Sequence, residues 1–541
     1  MSNALFQVPR PTNEPARSYA PGSPERAEIQ KELDRLYRAE LTKIPLVING
    51  VRIYEGEKGY CAMPEEHGKN LAEYTIATKA QIAEAVEAAV AAKPAWENMP
   101  FEHRAAIFLK AADLLTGVYR YRINAATMLG QGKTVHQAEL DAGCQLADFL
   151  RFNVYYAYQI YQNQPENDKL MWNRLEYRAL SGFVLAITPF NFTSICGNLP
   201  TAPAIMGNTI VWKPAATALL SNYILYEILE EAGLPKGVIN FVSANGEDVS
   251  EVAVKDKRLA GFHFTGSTGV FSRVWRSIGE NISVYENYPR MVGETGGKDF
   301  VFVHKSAQVR PLVVALIRGA FEYQGQKCSA ASRAYVPASL WPQVKQGLLE
   351  EVAKIKIGSV MEFSNFVSAV IDERSFNNIA SYIDYAKASP EAEVLCGGYD
   401  KSQGYFVQPT IVQTTNPNFK TMVEEIFGPV LTVYVYEDEN LEEALDSCNT
   451  ATPYALTGAI FANDRQALVH MERRLADAAG NFYINDKPTG GVVGQQPLGG
   501  GRASGTNDKA GSILNMLRWV NPRTIKETFV PPTTVEYPFM G

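Results

Sequence analysis

Cys328 stands in the segment FEYQGQKCSAAS, between a glycine-containing turn at Gln324-Gly325-Gln326 and the small residues Ser329 to Ser332. Small neighbours let a substrate reach the sulfur. Lys327 beside it favours thiolate, the form of cysteine that attacks carbonyls. Five further segments offer chemistry. Asn191, in ITPFNF, follows a strand and a proline break, which puts its amide at a strand's C-terminal edge, where α/β sites usually lie. Such an amide can donate to a developing oxyanion. Lys213, in VWKPA, precedes a proline and is held extended, so its ammonium can meet a ribose hydroxyl or a phosphate. The stretch FTGSTGV, Phe264 to Val270, carries Gly266 and Gly269 where amides at a helix start can approach a phosphate, although the full GxGxxG spacing is missing. Glu294 lies among glycines in VGETGGKDF and can act as a general base on water. Glu425 and Phe427, in EEIFGPVL, pair an acid suited to a sugar diol with a ring that can stack. Taken alone, each segment is equally an ordinary turn, a solvated loop or a small buried side chain.

The elements that must position these residues are those of a large soluble chain. At 541 residues, 46% hydrophobic, two or more domains are expected. With 51 basic and 58 acidic residues and no Lys/Arg block, a nucleic-acid partner is not expected. The six cysteines form no CxxC pair, which points to a reducing compartment without a disulfide framework. The six histidines form no HxxxH pair, so no metal site is expected. The N-terminal stretch has no apolar core of the secretory kind, its prolines and acids make a poor transit helix, and no apolar run is long enough to span a bilayer.

Residues 1–26 read as an extended arm and 27–40 as a helix. Ala-rich helical patterns run from about Lys79 to Asn153. The polar and aromatic alternation of 162–180 suits an exposed hairpin or flap. From Gly182, short runs such as FVLAIT, TIVWKP, VINFVS and GFHFTG alternate with helices, the rhythm of a parallel sheet. A second α/β stretch starts near Asp299 with DFVFVH, a helix through Arg318, and strands at RAYVP and LTVYVY. The proline-containing tail after Gly511 looks like an arm packed on a neighbour.

In this order, the segments resemble the aldehyde dehydrogenase superfamily over nearly the whole chain. Within it they are most similar to the branch that oxidises L-glutamate γ-semialdehyde, the open form of Δ1-pyrroline-5-carboxylate. That narrower resemblance rests on Thr188–Thr193, on FEYQGQKCSA, and above all on NFYINDKPTGGVVGQQPLGGGRASGTNDK, Asn481 to Lys509. It implies an α/β fold: an N-terminal arm and Rossmann-type NAD-binding domain (1–161 and 183–297), an α/β catalytic domain (298–495), and a small β oligomerisation flap with a C-terminal arm (162–182 and 512–541). It implies that Cys328 is the nucleophile, that the Asn191 amide and the Cys328 N–H hold the oxyanion, and that Glu294 activates the water that releases L-glutamate, the second step of proline catabolism. Thr188, Lys213, Gly266, Ser267, Thr268, Gly269, Val270, Glu425 and Phe427 would contact NAD. Ser329 with the Gly490 and Gly491 amides would bind the substrate carboxylate, and Phe192 would line its aliphatic stem. A homodimer or higher homo-oligomer is expected, in the cytoplasm of a bacterium or the mitochondrial matrix of a eukaryote.

Three positions depart from the family pattern. Gly491 stands where a serine is frequent, Gln145 where relatives carry a glutamate able to meet the substrate ammonium, and Ala216 where NAD-preferring relatives commonly carry an acid. The first two bear on substrate selectivity and the third on NAD against NADP. Another ω-semialdehyde or a general aldehyde is the alternative substrate. A non-catalytic binding protein is disfavoured by the presence of Cys328, Asn191 and Glu294 together. A cysteine hydrolase would leave the cofactor segments unexplained.

Overall fold

A computed structural model describes residues 6–541. The first five residues of the expected arm lie outside the described residues. Residues 6–23 follow an irregular path up to the helix Pro24–Arg38, whose Ser23 cap accepts from the Arg26 amide.

The helical region expected between Lys79 and Asn153 is divided into Lys79–Glu97, Phe101–Thr116, Arg120–Gln131 and Leu146–Gln162. The breaks have local causes. Pro100 caps the second helix, and Gly132, at φ 69°, ends the third in the left-handed region that glycine tolerates. The segment Glu139–Gln145 is wound as a π-helix into Leu146–Gln162, a departure that often marks functional sites.

Two seven-stranded sheets follow. The first has the order Arg290–Glu294, Leu259–Thr265, Phe183–Ile187, Ile210–Lys213, Ile239–Phe241, Leu46–Ile48, Val51–Ile53. Its first five strands are parallel, and Leu46–Ile48 and Val51–Ile53 extend it antiparallel. The strands are apolar along their length because helices cover both faces. The chain runs outward from Phe183–Ile187 in one direction and returns on its other side with Leu259–Thr265. That reversal opens a crevice at the carboxyl ends of these two strands.

The second sheet has the order Ala392–Cys396, Thr410–Thr414, Val430–Tyr436, Ala331–Pro337, Asp299–Val303, Thr457–Phe461, Asn481–Ile484. It is parallel except for Ala392–Cys396. The first sheet ends at Glu294 and the second begins at Asp299. The carboxyl edge of the first sheet therefore faces the amino edge of the second, and the candidate residues cluster between the two edges.

The flap Met171–Ala179 is not a self-contained hairpin. It pairs antiparallel with Val520–Thr528 of the same chain, from Val520 opposite Ala179 to Thr528 opposite Met171. Within the C-terminal tail, residues 520–528 are thus paired inside their own chain. Two isolated strands with open edges satisfy each other's backbone groups.

Candidate active site

Cys328 ends an irregular turn at the amino end of the strand Ala331–Pro337. Tyr323 (φ 52°) and Gln324 (φ 54°) both sit in the left-handed region, a costly conformation for residues with a side chain. Buried hydrogen bonds hold it there. Gln324 Nε2 donates to the Gly132 and Ala369 carbonyls, each at 2.8 Å, and its Oε1 accepts from the Ser368 amide at 3.1 Å. Gln326 Oε1 accepts from the Ile371 amide at 2.9 Å. The far side is closed by Gly297, where a Cβ would stand 2.0 Å from the Cys328 carbonyl oxygen. Only glycine permits that approach.

Asn191 is buried, and its Nδ2 donates to the Gln326 carbonyl at 3.1 Å. One amide hydrogen remains available beside the thiol loop. The Cys328 pKa is raised, first by burial and then by the carboxylates of Asp299, Glu425 and Glu294, with its own backbone N–H opposing. Lys327 does not offset this, because its ammonium pairs with Glu322 at 3.3 Å. The expectation that Lys327 favours thiolate is therefore not met in the protein alone. Glu294 is also raised well above the usual carboxylate range, by burial, against the opposing Gly500 N–H at 3.1 Å. A carboxyl of that kind is a stronger base than an exposed glutamate.

On the crevice side, Thr188 donates its amide to the Lys213 carbonyl at 3.1 Å, and its Oγ1 accepts from Trp212 Nε1 at 3.1 Å. Gly266 follows Leu259–Thr265 and donates to the Glu294 carbonyl at 3.2 Å. Ser267 caps the helix Thr268–Glu280 without a side-chain bond; Val270 donates its amide to the Ser267 carbonyl at 3.0 Å, which leaves the Thr268 and Gly269 amides at the helix start without a partner among the described residues. The Lys213 pKa is lowered by burial alone, and its ammonium has no hydrogen-bond partner among the described residues. Glu425 accepts from the Gly297 amide at 2.9 Å and is pushed up to about 7, chiefly by burial. Phe427, at φ 60°, meets Phe190 edge-on with ring centroids 5.8 Å apart. An unpartnered cation, free helix-start amides, a carboxylate and an aromatic face along one strand-order reversal fit a dinucleotide.

On the other side, a cavity of about 590 Å³ is lined by Cys328, Glu294, Phe192, Ser329, Gly490 and Gly491, among others. Ser329 Oγ lies 2.7 Å from Thr489 Oγ1. The Gly490 and Gly491 amides donate to no protein group among the described residues. Gln145 shares its Oε1 with Ser194 Oγ at 3.3 Å and reaches the Gly491 carbonyl at 3.5 Å. The two departing positions, Gln145 and Gly491, are thus neighbours. A Cβ at Gly491 would come within 2.6 Å of Leu498 Cδ2, so a side chain there requires Leu498 to move.

Sequence reasoning did not find the support beneath Phe192. Lys133 is fully buried with its Nζ 2.6 Å from Asp141, 4.0 Å from the Phe192 ring centroid and 4.5 Å from that of Tyr323. Burial lowers the Lys133 pKa to about 8 against the opposing pull of Asp141. Asp141 also accepts the amides of Thr193 and Ser194 at 2.9 and 2.8 Å, anchoring the helix start that follows Asn191 and Phe192. The available signal was a lysine and an aspartate eight residues apart in a stretch otherwise suited to burial. Among the described residues no cluster of metal-ligating side chains occurs and no helix is long and apolar enough to cross a membrane.

Residues 55–525 match the model of the Aldehyde dehydrogenase family. Over 541 residues the chain is 55% identical to the mitochondrial Delta-1-pyrroline-5-carboxylate dehydrogenase of Dictyostelium discoideum, covering 99% of this chain and 97% of that protein. It is 48% identical over 530 residues to the mitochondrial enzyme of that name from Homo sapiens, covering 98% of this chain and 94% of that one. The crystal structure of the Delta-pyrroline-5-carboxylate dehydrogenase from Mycobacterium tuberculosis bound with NAD superposes with a TM-score of 0.96 at 53% identity, covering 100% of both chains.

Proposed function

We propose that this chain, which belongs to the aldehyde dehydrogenase family, oxidises L-glutamate γ-semialdehyde to L-glutamate with NAD, the second step of proline catabolism. One observation carries the substrate choice. A single cavity holds a thiol and a buried carboxyl near a hydroxyl and two unpaired glycine amides, which suits a molecule with an aldehyde at one end and a carboxylate at the other.

In this reading Ser329 and the Gly490 and Gly491 amides hold the substrate carboxylate, and Phe192 packs on the stem. The Cys328 sulfur adds to the aldehyde carbon after its thiol proton is lost. The Asn191 amide and the Cys328 N–H stabilise the oxyanion that forms, an arrangement worth roughly 3–4 kcal/mol per donor in comparable enzymes. Bound NAD supplies the acceptor for the hydride that leaves this carbon. Thr188, Lys213, Gly266, Ser267, Thr268, Gly269 and Val270 hold its phosphates and adenine-side ribose, while Glu425 and Phe427 hold the nicotinamide end. Glu294 then takes a proton from the water that attacks the Cys328 thioester, L-glutamate leaves, and the thiol is restored. Splitting oxidation from hydrolysis in this way lowers both barriers.

We assign 1–161 and 183–297 to cofactor binding, 298–495 to catalysis, and 162–182 with 512–541 to assembly. A homodimer is the proposed state, in the mitochondrial matrix of a eukaryote or the cytoplasm of a bacterium. Exposed Trp275, Ile282, Val284 and Tyr288, on and after the helix Thr268–Glu280, support a second copy as their cover. The test of function is NADH formation from pyrroline-5-carboxylate compared with succinic semialdehyde and propionaldehyde. A clear preference for the first is expected; equal kcat/KM values for all three would refute it.

A further inference from the structure

The reaction accounts for the floor of the cavity but not for its outer wall, part of which is the irregular N-terminal arm. Asn13, Glu14 and Ala16 line the same cavity as Cys328 and Ser329. The Asn13 amide is fully used. Its Nδ2 donates to Asp148 Oδ2 and to the Val493 carbonyl, both at 2.8 Å. Its Oδ1 accepts from Gln495 Nε2 at 2.8 Å. The other Asp148 oxygen accepts the Glu14 amide at 2.8 Å. Glu14 in turn bridges Arg120 at 2.6 Å and Arg151 at 2.7 Å. One half-buried side chain thus ties the helix Leu146–Gln162, through Asp148, to the loop containing Val493 and Gln495.

That loop presents the unpaired Gly490 and Gly491 amides. It has no sheet ladder of its own, and its local bonds are short-range, with the Val492 carbonyl accepting from Gln495 and Gln496 at 3.0 and 2.9 Å. Two consecutive glycines are the least constrained dipeptide available, and Gly490 already sits at φ 96°. The loop is held from outside by Val493 packing on Phe149 and Phe152 of the helix Leu146–Gln162 and by the Asn13 bonds to Val493 and Gln495. The other polar tie from the helical layer to this glycine pair is the long Gln145–Gly491 contact at 3.5 Å.

We propose that Asn13 is a positioning residue for the substrate carboxylate. The arm is a strap that clamps the Thr489–Gln495 loop to the helix Leu146–Gln162, and it sets the separation between the carboxylate site and the Cys328 thiol. Selection for carboxylate-bearing aldehydes therefore depends on a segment more than 300 residues before the nucleophile. This rests on the reading of Gly490 and Gly491 as carboxylate donors.

The test uses full-length enzyme at saturating NAD with glutamate semialdehyde and with propionaldehyde, which has no carboxylate. For Asn13→Ala, the KM for glutamate semialdehyde and the inhibition constant of L-glutamate are expected to rise about tenfold together. The kcat, the KM for NAD and the kcat/KM for propionaldehyde are expected to stay within about twofold of wild type. Gln495→Ala, which removes one of the three bonds and leaves the arm on Asp148, is expected to shift the same two constants about threefold. If Asn13→Ala does not fold, this second variant decides. Equal losses on both aldehydes, or no change on either, overturn the strap while leaving the proposed function standing. A wild-type enzyme with no preference for glutamate semialdehyde overturns the proposed function, and the strap with it.

Discussion

Replacing Glu425 by glutamine should make the protein more stable above neutral pH while weakening its hold on NAD. The Glu425 carboxyl is raised from its ordinary 4.5 to about 7, chiefly by burial, with the Gly297 N–H and Lys298 opposing. At about 1.4 kcal/mol per pH unit, this corresponds to roughly 3 kcal/mol. The direction follows from proton counting. Between these two values the folded chain keeps a proton that the unfolded chain has lost, so stability falls as pH rises through the window, and the penalty is complete above about 7. Glutamine carries no charge to desolvate, and its carbonyl can still accept from Gly297. Two effects reduce the gain: Glu425 is only partly buried by surface area, and buried Lys298, whose Nζ has no hydrogen-bond partner, would lose a nearby anion. The expected net gain is about 1–2 kcal/mol at pH 8 and much less at pH 5. Urea denaturation of the cofactor-free protein at both values measures it. In the same variant the KM for NAD should rise about tenfold, because a hydrogen bond to a charged acceptor is worth about 1.5–3 kcal/mol. A variant less stable than wild type at pH 8, or one stabilised equally at both values, would refute the assignment of Glu425 as a carboxyl destabilised by its burial.

Two further changes probe the thiol's surroundings. Glu294→Gln should keep a single-turnover burst of NADH but slow steady-state turnover by about 10²–10⁴-fold, since only water activation is removed. Because burial raises the wild-type carboxyl, activity should fall on the acid side from well above the ordinary glutamate range, and the variant should lose that limb; an unchanged pH profile would count against Glu294 as the base. Lys133→Met should cost about 3–5 kcal/mol of stability, the usual penalty for leaving one buried charge without its partner. The Asp141 carboxylate would keep only the Thr193 and Ser194 amides, and an unaltered denaturation midpoint would show that it does not need Lys133.

The candidate chemistry was legible wherever residue type and local period suffice. The parallel-strand rhythm from Gly182 is found in both sheets because short, mostly apolar runs of five to seven residues follow from burial on two faces. The segments around Asn191, Lys213, Gly266, Glu294, Cys328 and Glu425 could be read in order because each places a reactive or backbone-exposing residue at a strand end or turn. The helical stretch from Lys79 is interrupted in the structure. Pro100, Gly117 and Gly132 are its breakers, and the π-helical turn at Glu139–Gln145 leaves no periodic mark strong enough to see.

Residue type and local pattern are enough to name the candidates for the chemistry and to place them on α/β elements, because propensity, apolar period and turn chemistry act over a few neighbours. Their surroundings come from long-range contacts. The carboxyl edge of one sheet facing the amino edge of the other joins the crevice to the thiol. The Lys133–Asp141 pair under Phe192, the pairing of the flap with its own C-terminal strand, and the Asn13 bond to Val493 each link positions that no local period relates. The last spans 480 residues. Such contacts form because burial leaves a charge, a strand edge or an amide that must find a partner, and the folded chain sets which partner is within reach.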